Sequence, residues 1–145
     1  MPDEKILAID SSSAQMPAAF ALRHDVFVVE QALAPELERD EFDAEAMHLI
    51  ALRSDEVIGT LRIVRNGSTA RVGRMAVRTT ARKSGVGSRL MHAAETMAAQ
   101  VGIKEIVLHA QLTAKAFYGR LGYREQGEIF EEAGIMHIEM RKTIA

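Results

Sequence analysis

Apolar positions along the chain change period in step with the turn residues. "KILAI", Lys5 to Ile9, is a short apolar run that predicts a first strand. From Ser11 to Gln31, serine capping candidates, a proline near the start, and Ala19, Leu22, Val26 and Val29 at helical spacing predict one amphipathic helix. "APELERDEFDAEAM" follows, with Glu36, Glu38, Asp40, Glu41, Asp43 and Glu45 close together, and reads as a solvated acidic loop with a turn of helix. Between His48 and Val77 the pattern predicts three antiparallel strands, broken by turns at Ser54-Asp55 and Asn66-Gly67.

The second half alternates helices and strands. A helix opens near Val86 and should stop at Gly102 as a C′ glycine, and "EIVLHA" is a β-branched strand after it. "LTAKAFYGRL" predicts another helix, with Leu112, Ala116, Phe117 and Leu121 on one side and Gly122 as its stop. "GIMHIEMRK" alternates Met136, Ile138 and Met140 against His137, Glu139 and Arg141, as a half-buried strand does. The order β-α-β-β-β-α-β-α-β-β defines an α+β fold with one mixed, mostly antiparallel central sheet flanked by helices. The two strands joined through the central helix should run parallel, because a crossover links them.

Composition narrows the class. At 145 residues, with no repeat or Pro/Gly-rich linker, the chain is expected to form a single domain over residues 1–145. No segment is long and apolar enough to span a bilayer, and "MPDEKILAID" is acidic where a signal peptide needs a basic end, so a cytoplasmic protein without a membrane partner is expected. The absence of cysteine excludes disulfides, zinc-thiolate sites and a cysteine nucleophile, and no metal site is expected. A net charge of −2 gives no case for nucleic-acid binding.

The candidate chemistry centres on "GRMAVRTTARKSGVGSRLMHAAETM", Gly73 to Met97, where a strand passes through a basic turn with two glycines into a helix. Free amides and the dipole at a helix N-terminus favour an anion, and glycines allow it to approach closely. The same glycines also fit a plain turn, and Arg82 and Lys83 also fit solvated charges. A Walker loop requires Gly-x-x-x-x-Gly-Lys-Ser/Thr, which is absent, and the dinucleotide motif requires a third glycine where Leu90 stands.

Arg82-Lys83-Ser84-Gly85-Val86-Gly87, after Met75-Ala76-Val77, resembles the pyrophosphate loop of the GCN5-related N-acetyltransferase (GNAT) family. "AQLTAKAFYGRLGY", Ala110 to Tyr123, is similar to that family's second coenzyme A motif, which includes Gln111 and Lys115. "RHDVFVVEQ", then "ERDEFD" and His48, resembles the ElaA-like branch.

The resemblance implies an acetyl-CoA-dependent N-acetyltransferase acting on a primary amine of a small molecule or peptide. A non-catalytic acyl-CoA-binding or regulatory module is the alternative. Backbone groups at Met75, Ala76 and Val77 would pair with the pantetheine, and Arg82, Lys83, Ser84, Gly85, Val86, Gly87 and Ser88 would hold the pyrophosphate. Tyr118 would protonate the leaving thiolate; the same ring also fits as a core aromatic beside Phe117. The base stays open among Glu30, His48, His109, an acidic-loop residue acting through water, and solvent, with Glu30 and His48 preferred. Arg23, Gln31 and His109 are the substrate-binding candidates. The family's frequent dimers, with exposed strand edges, make a homodimer an expectation as well.

Overall fold

A computed structural model describes residues 3–144. Seven strands form one sheet: β1 (Glu4–Ile9), β2 (Met47–Arg53), β3 (Glu56–Asn66), β4 (Thr69–Val77), β5 (Glu105–Gln111), β6 (Arg124–Glu132) and β7 (Ile135–Thr143). Their spatial order is β1-β2-β3-β4-β5-β7-β6. Helices α1 (Met16–Arg23), α2 (Pro35–Glu38), α3 (Val86–Gln100) and α4 (Lys115–Arg120) complete the fold. All neighbouring strands are antiparallel except β4 and β5, which are parallel as the crossover through α3 requires.

On one face Leu90, Met91 and Ala94 of α3 pack against Leu61, Ile106 and Leu108. On the other, Ala19, Leu22 and Phe27 pack against Ile50, Val57 and Ala76. Helix α3 stops as its sequence requires: Gly102 adopts φ +85°, its amide donates to Ala99, and the Ile103 amide donates to Ala98.

Two helices depart from simple periodicity. After α1 the chain continues as a π-helix over His24–Glu30, closed by the Gln31 amide donating to the Val26 carbonyl at 3.1 Å. Adding a residue per turn rotates the apolar face, so Phe27 is buried at 9% exposure while Val29, expected inside, is 67% exposed. Leu112–Ala114 form a 3₁₀ turn before α4, and its tighter winding leaves Ala116 exposed and buries Tyr118. At the start of α1 no serine occupies the cap; Gln15 does, with its amide donating to Ser13 Oγ.

Two irregularities in the sheet shape the cleft. Strands β4 and β5 pair only from Thr69/Glu105 to Arg71/Val107, and beyond that point the facing edge of β4 has no strand partner. In the β3–β4 ladder, Arg62 faces Gly73 and Thr60 faces Ala76, so Arg74 and Met75 bulge opposite Leu61 alone. Arg74 takes φ +52°, a left-handed angle that is strained for any residue with a Cβ.

Candidate active site

Where β4 ends, the chain passes through a 3₁₀ turn (Thr79–Ala81) into the basic segment and then α3. Lys83 and Gly85 both have positive φ, +64° and +87°. Gly85 is the N-cap, and the first helical bond runs from the Arg89 amide to its carbonyl at 3.0 Å. The amides of Val86, Gly87 and Ser88 are therefore left without helical partners, and no acidic residue lies in the first turn. This is a cradle of three backbone donors at the positive end of a 15-residue helix dipole.

A cleft of about 600 Å³ lies along the unpaired stretch of β4, with Val72, Gly73, Arg74 and Met75 in its wall. Met75, Gln111 and Tyr118 line it together with Gln31 and His109. Gln111 Nε2 donates to Gln31 Oε1 at 2.9 Å, which ties β5 to the end of the π-helix across the cleft. Tyr118 is 9% exposed, and burial pushes its phenol up to about 12. Ala76 points into the core beneath α1, so only its backbone is available to a ligand.

The other expected side chains around the turn and on α4 are engaged as follows. Glu30 forms a bidentate pair with Arg82, both contacts at 2.7 Å, and Arg82 Nε also donates to the Val77 carbonyl at 2.9 Å. That hydrogen bond from Arg82 holds the Glu30 carboxyl below its usual range. Lys83 is exposed beside the cradle, the Ser84 hydroxyl donates back to the Ala81 carbonyl, and Lys115 lies 3.6 Å from Glu125.

Arg23 and His48 do not reach an acceptor surface. Each is 1% exposed. Arg23 donates to Glu38 at 2.6 and 2.8 Å and to Asp43 at 2.7 and 3.1 Å. His48 Nε2 lies 3.0 Å from the Asp43 carbonyl, and burial holds its pKa below the usual value. The resemblance to the ElaA-like branch implied that both stand near an acceptor pocket, and it carried no sign that these two side chains turn inward.

They turn into an ion network. Arg62 pairs with Asp40 at 2.6 and 2.9 Å and with Asp43 at 3.0 Å. Arg74 donates to the Glu38 carbonyl at 2.9 Å, to the Leu37 carbonyl at 3.2 Å and to Asp40 at 3.2 Å. Arg23, Arg62 and Arg74 thus balance Glu38, Asp40 and Asp43. Part of the acidic stretch, Glu38 and Asp43, is accordingly internal structure and not solvated loop. One signal was readable: Arg62 stands within the apolar run of β3, and a charge buried there needs a partner. Among the described residues no cluster suited to a metal occurs, and no helix is long and apolar enough to cross a membrane.

Free amides at a helix start, an unpaired edge on the strand before it and a buried phenol in the cleft along that edge define a fold and site of the acyl-CoA-dependent transferase type. Comparison with known proteins agrees: the family described as Acetyltransferase (GNAT) domain matches residues 8–144. The chain is 35% identical over 135 residues to the uncharacterized N-acetyltransferase YjcF of Bacillus subtilis (strain 168), covering 92% of this chain and 96% of that one. It is 30% identical over 138 residues to protein ElaA of Escherichia coli (strain K12), covering 92% and 90%. Among solved structures, an acyl-CoA N-acyltransferase from Pseudomonas aeruginosa superposes with TM-score 0.85 at 30% identity, covering 98% of this chain and 99% of that one. The crystal structure of Escherichia coli ElaA gives TM-score 0.84 at 28% identity, with the same coverage. This chain belongs to the GNAT acetyltransferase family.

Proposed function

We propose that the protein moves an acetyl group from acetyl-CoA directly onto the primary amine of a small molecule or peptide. One observation carries this reading: beyond Arg71 the edge of β4 is unpaired, and Met75 on that open stretch lines the same cleft as Tyr118, while the strand itself ends at Val77 ahead of the helix cradle. Acetyl-CoA supplies an activated thioester. The amides of Val86, Gly87 and Ser88 would hold its pyrophosphate, and the open edge of β4 would pair with the pantetheine amides as an added strand.

The acceptor nitrogen then attacks the thioester carbonyl carbon, the C–N bond forms, and the C–S bond breaks. A backbone amide near Val77 stabilises the oxyanion, and Tyr118 donates a proton to the departing sulfur. The amine's proton leaves through His109, which lines the cleft two residues from Gln111, or through water in the cleft.

Calorimetry with acetyl-CoA, using ATP and NAD as controls, tests the cofactor site. Thiol release across an amine panel tests transfer, and because the chain has no cysteine, free thiol reports coenzyme A alone. Selective acetyl-CoA binding with amine-dependent thiol release is the expected outcome. Binding without turnover on any amine would favour the non-catalytic module.

A further inference from the structure

Three arginines line the cleft, and they are not equivalent. Arg62 and Arg74 are occupied by the ion network. Arg71 stands at the last β4 position paired with β5, and its side chain is 51% exposed. Its Nη2 lies 2.7 Å from His109 Nδ1, and its nearest carboxylate contact, to Glu132, is a loose 3.6 Å. Glu132 makes its close contact, 2.9 Å, with the same Nδ1.

One imidazole nitrogen serves one of these partners at a time. Unprotonated, Nδ1 accepts from Arg71; protonated, it donates to Glu132 and releases the guanidinium. In either state most of the five donors of Arg71 stay open in a fixed planar fork that matches a carboxylate. Along β5 the distance from His109 to Gln111 is two residues, about 7 Å. An anion on Arg71 is therefore within one small molecule's length of the end of the cleft where Gln111 lies. The walls between include Leu33, Leu37 and Phe42, and the last two are about half exposed, which suits an apolar body.

We infer that Arg71, with His109 and Glu132 setting its availability, is the anion subsite of the acceptor pocket, and that the acceptor is an apolar amine bearing a carboxylate, of the amino-acid type. A polyamine or aminoglycoside lacks the group this subsite takes. The inference rests on the acetyltransferase reading above and deepens it by naming the substrate class. A singly charged planar carboxylate fits the fork; a phosphate dianion would face Glu132 at close range.

The test pairs leucine, methionine and phenylalanine with their carboxamides as acceptors under saturating acetyl-CoA. Wild type should favour the free acids at least tenfold in kcat/KM. Arg71→Gln should abolish that preference while acetyl-CoA affinity changes less than about twofold, and Arg71→Lys, which keeps charge without the fork, should fall between. A second measurement needs no turnover: N-acetylleucine and N-acetylleucinamide are titrated into the coenzyme A complex, and only the acid should bind, through Arg71. Carboxamides accepted equally well, a preference that survives Arg71→Gln, or no binding of N-acetylleucine would overturn the subsite. Arg71-dependent binding of N-acetylleucine with no amine turned over would uphold the subsite and sink the transferase reading.

Discussion

Arg74 Nε donates to the Glu38 carbonyl at 2.9 Å while the Arg74 backbone sits at φ +52°. Glycine would relieve that strain, yet an arginine stands there, and its side chain fastens the α2 turn to the bulge in the β3–β4 ladder. One residue thus joins Leu37 and Asp40 in the cleft wall to β4. The strain, of order 1–2 kcal/mol, is offset by charged hydrogen bonds worth about 1.5–3 kcal/mol each.

Substitutions at this position separate the two effects. Arg74→Ala loses the clamp and keeps the strained angle; Arg74→Gly loses the clamp and relaxes it. Both should be destabilised in urea unfolding, with the alanine variant worse by about 1 kcal/mol. Equal stability of the two would show that the left-handed angle stores no strain.

The network also sets an acid limit. Burial alone would raise the Asp43 carboxyl, but hydrogen bonds from Arg23 and from the Asp40 amide, with Arg62 beside it, hold it far below its ordinary value. A depressed folded-state pKa contributes stability above the unfolded value near 3.9, and this is lost as pH falls through the folded value. Asp43→Asn should cost about 3–5 kcal/mol at pH 7, because it leaves buried arginines short of a counter-charge. Its stability should also depend less on pH than wild type below about pH 5. A variant with an unchanged acid limb would show that Asp43 does not set it.

The order of elements, the parallel β4–β5 pair and the stop at Gly102 were legible because each follows from local periodicity or a single backbone requirement. The π-helix was not, since Val26, Phe27 and Val29 satisfy several windings and only tertiary packing selects among them. The cradle was legible for a similar local reason: glycine and basic residues at a helix start carry their meaning within six positions. Arg23–Glu38 and Arg62–Asp40 join residues 15 and 22 positions apart, and no spacing rule links them. Solvated and buried acids look alike in a sequence, so the acidic stretch read as surface.

Glu30 offers a sharper division of roles. Its bidentate pair with Arg82 keeps it ionised, so it is a poor proton acceptor near neutrality and a good anchor for the segment leading into the cradle. The pair is partly exposed and worth no more than about 1 kcal/mol. Glu30→Gln should therefore weaken acetyl-CoA binding by no more than about fivefold and leave the pH dependence of kcat/KM intact between pH 5 and 8. Loss of the acidic limb in this variant would instead make Glu30 the base.

Tyr118 supplies the decisive test of the chemical step. With its phenol pushed up to about 12, it remains protonated at any working pH and can act only as a donor. A folded-state pKa above the unfolded value near 10 also means that the neutral ring favours folding below pH 10, an advantage lost as pH rises through about 12. Tyr118→Phe keeps the ring edge-on to Phe117 at 5.0 Å and to Tyr123 at 6.0 Å, so stability and acetyl-CoA affinity should change little. Turnover should fall roughly 10²–10⁴-fold if the phenol protonates the departing sulfur. A phenol this weakly acidic lies well above an ordinary thiol near 8.5, so transfer is favourable only to a thiolate that is also poorly solvated. An acetyl donor whose thiol is more acidic needs less of that proton, and the deficit of the phenylalanine variant should shrink with it. A deficit that stays constant across donors of falling thiol pKa would assign Tyr118 to packing and positioning, with the proton coming from water.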